Sequence, residues 1–218
     1  MGAYTLSLLE DHLSPTARLA LSAAPRVIYV LSGDVVVTVD ERPASVGMEQ
    51  AWHGTSSCAL TSGTRGATVL RYELIRATST AGATSPVSTR LVLAHPIALD
   101  ERGEYLMRCD RVEFAPGGEA LPHGHKGGGI RCLIAGELEV RVGGQPGRVM
   151  KPGDAWFESG TEPVHAIASA TEPTYFIRVA ILPRAIRSQS SIVYVDPAHA
   201  AVKPRRYTVF VDEPIALP

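Results

Sequence analysis

Three histidines are the residues of this sequence whose types and spacing could do chemistry. His123 and His125 stand two apart, and His165 follows in a later segment. Residues two apart on a β-strand point to the same side, so the first two imidazoles are expected to face one space. Two neutral imidazoles aimed at one space need a shared partner, and a metal ion is the usual one. A third histidine would complete a three-point grip that leaves positions open for water or substrate.

The elements that must position these histidines are β-strands. Short runs of Val, Ile, Leu, Tyr and Thr alternate with Gly and Pro along most of the chain, and no long helical period appears. The clearest runs cover 26–31, 34–39, 68–74, 136–142 and 174–182, and the tail adds two more near 191–196 and 206–212. Short strands at regular spacing predict an all-β sandwich or barrel.

The two halves of the chain resemble each other, which predicts two copies of one domain in tandem. Segment 26–37 resembles 129–140, and the Ala-Trp pair at 51–52 recurs at 155–156. The predicted organisation is a degenerate N-terminal domain over 1–75, a Ser/Thr-rich linker over 76–90, a metal-binding C-terminal domain over 91–187 and a β extension over 188–218. The histidine pair maps onto Ala20 and Ser22 in the first half, so the first domain is expected to lack the metal site.

The spacing around the histidines resembles that of the cupin superfamily. Gly117 is followed after five residues by His123, Gly124 and His125, and Gly136 stands at the family's later glycine position. The resemblance implies two linked double-stranded β-helix barrels of the jelly-roll type, a bicupin, with a homodimer as the default assembly. It also implies that His123, His125 and His165 bind one divalent metal ion, whose identity among Fe, Mn, Ni, Zn and Cu stays open.

The sequence departs from the cupin motifs at three positions. Gly129 stands where the family has a glutamate ligand, Ser159 stands where proline is usual, and one extra residue precedes His165. Two nearby carboxylates are therefore candidates for a fourth ligand or a general base. Glu119 has the strand parity of His123, and Glu158 lies on the strand that leads to His165.

Arg131 is expected to point into the second barrel, because it shares the parity of position 129. A buried arginine needs a partner. Its planar guanidinium suits two-point contact with a carboxylate or phosphate, so it could bind an anionic substrate. The alternative is an internal ion pair with Glu119 or Glu158.

Composition sets limits on partners and compartment. The formal net charge is −1, and the basic residues form no broad cluster, which argues against nucleic acid as a partner. No apolar stretch is long enough for a membrane span, and the N-terminus lacks the features of a signal peptide. The three cysteines are widely spaced, as expected for a protein of a reducing compartment, so a cytoplasmic location is predicted.

Three classes of function are compatible with these features. The first is a metal-dependent enzyme acting on a small polar or anionic molecule; isomerase, hydrolase and decarboxylase chemistry are open, and dioxygenase chemistry leads because similar cupins perform it. The second is a non-catalytic binding or sensing protein for a small-molecule ligand, which the lost glutamate and the blank first barrel favour. A purely structural module is the third reading.

Overall fold

A computed structural model describes residues 2–76, 87–202 and 205–218 of the chain. The described residues form β-strands joined by turns and two short 3₁₀ segments, Arg184–Ile186 and Pro197–Ala201. This confirms the predicted all-β class. The described part of the chain contains no helix long and apolar enough to cross a membrane.

The first compact unit comprises Met1–Gly103 together with Ile215–Pro218. Its described residues form a seven-stranded sheet in the order β4-β3-β6-β1-β7, with β2 paired to β6 and β5 paired to β3. The strands are β1 Gly2–Leu13, β2 Arg18–Leu21, β3 Arg26–Val39, β4 Arg42–Gly47, β5 Ala51–Gly54, β6 Cys58–Arg76 and β7 Val87–Leu99.

The second unit comprises Glu104–Pro214 and is built from two five-stranded sheets. Their orders are β13-β10-β15-β8-β17 and β12-β11-β14-β9-β16. The strands are β8 Tyr105–Phe114, β9 Glu119–His125, β10 Gly129–Ala135, β11 Leu138–Val142, β12 Arg148–Met150, β13 Ala155–Glu158, β14 Val164–Ala168, β15 Thr174–Pro183, β16 Ile192–Tyr194 and β17 Arg205–Ile215.

The two units share one strand topology, as the sequence repeat predicts. The order β5-β3-β6-β1 in the first unit matches β13-β10-β15-β8 in the second. Gly33 and Gly136, which stand at matching positions of the repeat, both adopt a left-handed backbone, with φ of 73° and 75°. Glycine tolerates this conformation without steric cost, so it permits the same sharp change of chain direction in both units.

The structure divides the chain differently from the predicted boundaries. Residues 77–86 of the predicted linker lie outside the described residues. Val87–Leu99 forms β7, which pairs along β1 from Leu13↔Val87 to Gly2↔Leu99 and therefore belongs to the first unit. The predicted extension over 188–218 is mostly part of the second unit, because β16 pairs with β9 and β17 lies beside β8.

Each unit has its own apolar core, and that of the second unit frames the site. Aromatic and branched side chains from both of its sheets meet there, including Trp156 and Phe176 of one sheet and Leu138 and Val164 of the other. The rings of Trp156 and Phe176 pack edge to face with centroids 5.3 Å apart. All three cysteines are buried and none of them is in a disulfide bond, so they contribute to the cores as small apolar residues.

Candidate functional site

The two histidines of the predicted pair lie together in the interior of the second unit. Both are carried by β9, and their ring centroids are 4.9 Å apart with the rings almost perpendicular. The alternation of a strand, which predicts a shared face for residues two apart, accounts for their approach. Neighbouring strands hold β9 on both sides, since His123 pairs with Val164 of β14 and with Tyr194 of β16.

His123 is oriented by its own backbone. Its Nδ1 donates to the carbonyl oxygen of Leu121 at 2.7 Å, which leaves Nε2 as an acceptor. Burial lowers the pKa of His123 to about 4, and the positive charges of Arg205 and Arg131 act in the same direction. The imidazole is therefore neutral at pH 7.

His125 is held by charged groups on both of its nitrogens. Its Nε2 lies 3.1 Å from Oε2 of Glu158, and its Nδ1 lies 3.5 Å from Nη1 of Arg178. These contacts fit a neutral ring that donates through Nε2 and accepts at Nδ1. Burial is the main cause that lowers its pKa to about 3, and the positive charges of Arg131 and Arg178 contribute.

Glu158 is a buried carboxylate at the end of β13. Nη2 of Arg131 lies 2.7 Å from its Oε2, and the indole nitrogen of Trp156 donates to its Oε1 at 2.8 Å. Burial by itself would raise the pKa of Glu158, but the charge of Arg131 and the hydrogen bonds from His125 and Trp156 outweigh it and hold the pKa well below its usual range. The sequence left two roles open for Arg131, contact with an anionic substrate or an internal ion pair, and the structure contains the ion pair with Glu158.

Arg178 is a site residue that the sequence analysis missed. It lies on β15 directly opposite Arg131, and its Nε donates to Asp110 of β8 at 2.9 Å. A second nitrogen of the same guanidinium also donates to Asp110, so the pair is bidentate. The first unit holds an equivalent pair, in which Arg71 makes two hydrogen bonds to Asp11.

His165 does not join the other two histidines. Along β14 the buried residues are Val164, Ala166 and Ala168, so His165 lies on the opposite face of the strand. Its Nε2 contacts Oε1 of Glu119 at 2.5 Å, and the Glu119 side chain is 46% exposed. The structure thus brings together His123, His125, Glu158 and Arg131 and places His165 and Glu119 elsewhere. The expectation that these two help to hold a metal ion in the barrel does not agree with this geometry.

The residues of the second barrel do not fit the metal site implied by the cupin resemblance. In the described ranges, no three His, Cys, Asp or Glu side chains are arranged to hold a metal ion. Nε2 of His125 and Oε2 of Glu158 contact each other, and the guanidinium of Arg131 contacts the same oxygen. Neither atom is therefore directed at a shared metal position. A glutamate cannot replace Gly129, because a Cβ there would lie 2.4 Å from the carbonyl oxygen of Val179.

Two neighbouring spaces could hold a ligand. The inner cavity, with a volume of about 20 Å³, is lined by His123, His125, Glu158 and the guanidinium-bearing residues Arg131, Arg178 and Arg205, with apolar walls opposite. It has room for about one water-sized group. The outer pocket, of about 470 Å³, is lined by the charged residues Arg108, Asp110 and Asp212, by Ser188 to Ile192 and by Val209. Arg178 and Tyr207 line both.

Comparison with known proteins finds a family match within the second unit. Residues 110–180 match the family model described as a cupin domain. No curated protein matches the chain. Among solved structures, an oxalate decarboxylase variant from B. subtilis has a TM-score of 0.65 at 15% identity, covering 93% of this chain and 78% of that one.

Two further solved structures are similar over most of their length. AerE from Microcystis aeruginosa has a TM-score of 0.58 at 15% identity and covers 84% of this chain and 88% of that one. A cupin 2 conserved barrel domain protein from Leptotrichia buccalis has a TM-score of 0.51 at 13% identity, with 83% and 84% covered. At these identities the likeness shows the fold alone.

Proposed function

We propose that the second unit binds a small polar or anionic molecule, with its polar end at the inner cavity and its body in the outer pocket. The observation that carries this proposal is that Arg178 and Tyr207 line both spaces. A ligand in the outer pocket would therefore be in reach of the buried histidines. Such a concave site, mostly apolar with a few convergent polar groups, is the usual form of a small-molecule site.

The state of the polar groups favours binding over catalysis. His123 and His125 are neutral at pH 7, because burial lowers the pKa of each to about 4 and about 3. Glu158 is ionised and paired with Arg131. A general base works best with a pKa near the operating pH, and none of these three groups meets that condition. We propose a binding or sensing role, with Arg178 orienting His125 and with Tyr207 in contact with the ligand.

A thermal-shift screen tests the binding proposal. It uses small carboxylates and their neutral analogues, and it includes oxalate because similar solved structures are oxalate decarboxylases by name. We expect at least one compound to raise the unfolding temperature. Tyr207→Ala should weaken its binding about tenfold, since an aromatic wall of the pocket is lost. Tyr175→Ala is the matched control, because Tyr175 packs against Arg111 and does not line either space. Equal affinity of both variants would refute the assignment.

A metal-dependent enzyme, with dioxygenase chemistry as its leading form, is the second candidate. One observation favours it: the bond from His123 Nδ1 to a backbone carbonyl is the outer contact that metal-bound histidines usually make. Elemental analysis of the purified protein, beside a His123→Ala/His125→Ala variant, decides between the candidates. Near-stoichiometric metal that disappears in the variant would make the enzyme the better proposal. Absence of metal after reconstitution supports the binding role.

We further propose that the protein is a homodimer that acts in the cytoplasm without a nucleic acid partner. The cupin resemblance and the near-zero net charge support these expectations. Light scattering after size-exclusion chromatography gives the mass of the assembly, and a monomeric mass across the working concentration range would contradict the dimer.

A further inference from the structure

Arg205, the first residue of β17, differs from the other two arginines of the inner cavity in its partners. Arg131 is paired with Glu158 and Arg178 is paired with Asp110. Arg205 donates to the hydroxyl of Tyr194 at 3.1 Å, and its Nε atom is buried without a hydrogen bond. Within the described ranges, no carboxylate lies within 4 Å of its guanidinium.

This arrangement leaves an unmatched positive charge at the inner cavity. Three guanidiniums line it, and two of them are paired with the carboxylates of Glu158 and Asp110. The charge of Arg205 reaches the histidine pair, because it contributes to lowering the pKa of His123. A partly buried arginine whose Nε lacks an acceptor gains most from an anion, since charge-assisted bonds to carboxylates are about twice as strong as neutral ones.

We infer that Arg205 binds the carboxylate of an organic monoanion whose apolar body lies in the outer pocket. The inference rests on the proposed function and names the class of ligand that it would take. Arg205 would supply two donors to the carboxylate, and Tyr194 would keep the guanidinium in place. It is a specificity-determining residue for charge.

The geometry limits the size of each part of the ligand. The inner cavity of about 20 Å³ has room for one carboxylate oxygen. The outer pocket of about 470 Å³ has apolar contacts to offer from Ile192, Tyr207 and the half-exposed Val209. A monocarboxylate with one aromatic ring or a short aliphatic chain matches both spaces, whereas a dianion would bring a second charge that has no counter-ion.

Benzoate and benzamide form a probe pair for this inference, because they have nearly the same shape and differ in charge. Isothermal titration of the full chain is expected to show at least tenfold tighter binding of benzoate. Arg205→Gln should abolish that preference by weakening benzoate binding about tenfold while benzamide binding stays the same. Arg205→Lys keeps the positive charge but loses the planar guanidinium that offers two parallel donors, so it should retain part of the preference for benzoate.

Arg206→Gln is the matched control. Arg206 is the next residue of β17, its side chain is 79% exposed and it pairs with Glu113 at 3.3 Å, outside the cavity. This variant should keep the wild-type preference, and circular dichroism of all variants verifies that each is folded. Unchanged benzoate binding by folded Arg205→Gln would overturn the inference. Equal binding of benzoate and benzamide by the wild type would also overturn it while leaving the binding site itself intact, and binding of neither would refute the proposed function as well.

Discussion

At the scale of single residues, the buried histidines tie the stability of the second unit to pH. His123 and His125 have folded-state pKa values of about 4 and about 3, against about 6.5 in an unfolded chain. When the pH falls below 6.5, the unfolded chain therefore takes up protons that the folded chain does not. The free energy of unfolding must decrease from pH 6.5 towards pH 4, and it is independent of these two groups above pH 7.

We expect each histidine to contribute a slope of up to about 1.4 kcal/mol per pH unit in this window. Urea unfolding at pH 7, 6 and 5 measures the slope. A His123→Gln/His125→Gln variant should show a flatter dependence, because glutamine keeps hydrogen-bonding capacity without titrating. Parallel curves for wild type and variant would show that other groups dominate the acid response.

The pairing of Arg131 with Glu158 predicts a marked asymmetry between single and double substitutions. Arg131→Met leaves a buried carboxylate without its counter-charge and should cost roughly 3–5 kcal/mol. Arg131→Met/Glu158→Gln should be more stable than the single variant, since no charge then stays unpaired. Chemical denaturation measures both. Arg184→Met, which breaks the exposed pair with Glu104, provides a control with a much smaller loss. A double variant that is less stable than Arg131→Met would contradict this account.

At the scale of elements, strand alternation determined what could be predicted. It correctly indicated a shared face for His123 and His125, and it offered the Arg131–Glu158 ion pair as one of two readings. It did not place His165, which alternates regularly with buried Val164 and Ala166 and therefore lies on the other face of β14. It did not place Glu119 either, because β9 has one more residue than β14 between the pairs Val164↔His123 and Ala166↔Ala120. A shift of one residue exchanges the two faces of a strand, and counting residues between motifs cannot detect it.

The missed Arg178–Asp110 pair illustrates a second limit. Its members are 68 residues apart and meet because β15 and β8 are neighbours in one sheet. No local pattern marks such a contact, so it becomes visible only when the pairing of the strands is known. The boundary at β7 was missed for the same reason, since Val87–Leu99 is recognised as part of the first unit by its pairing with β1.

Asp212 fastens β17, the strand that carries Arg205 and Tyr207, to the rest of the second unit. Its carboxylate accepts from Nε of buried Arg108 at 2.8 Å and from the backbone nitrogen of Ser188 at 2.7 Å. Asp212→Ala should destabilise the unit by about 3 kcal/mol, because Arg108 loses its counter-charge. Hydrogen exchange should accelerate in β17 more than in β10. Glu213→Ala, which removes an exposed pair with Arg187, is the control. Uniform acceleration would argue against a local role.

At the scale of the whole molecule, the two units share their strand order and one kind of buried ion pair, but they differ in other buried residues. Each unit has a buried arginine paired with an aspartate of a neighbouring strand, Arg71 with Asp11 and Arg178 with Asp110. At the position that matches Gly129, the first unit has Arg26, whose Nε donates to Glu73 at 2.9 Å. These buried charges of the first unit are thus paired with one another, and the ligand site is proposed for the second unit alone.

This difference predicts where a ligand protects the chain from exchange. A ligand at one hundred times its dissociation constant stabilises the state that binds it by about 2.7 kcal/mol. Hydrogen–deuterium exchange with saturating benzoate should therefore slow within 104–214, most clearly in β9, β15 and β17, and stay unchanged in the first unit. The Arg205→Gln variant at the same benzoate concentration should show little protection. Equal protection of both units would mean that they open as one cooperative body, and protection of the first unit alone would move the ligand site out of the second barrel.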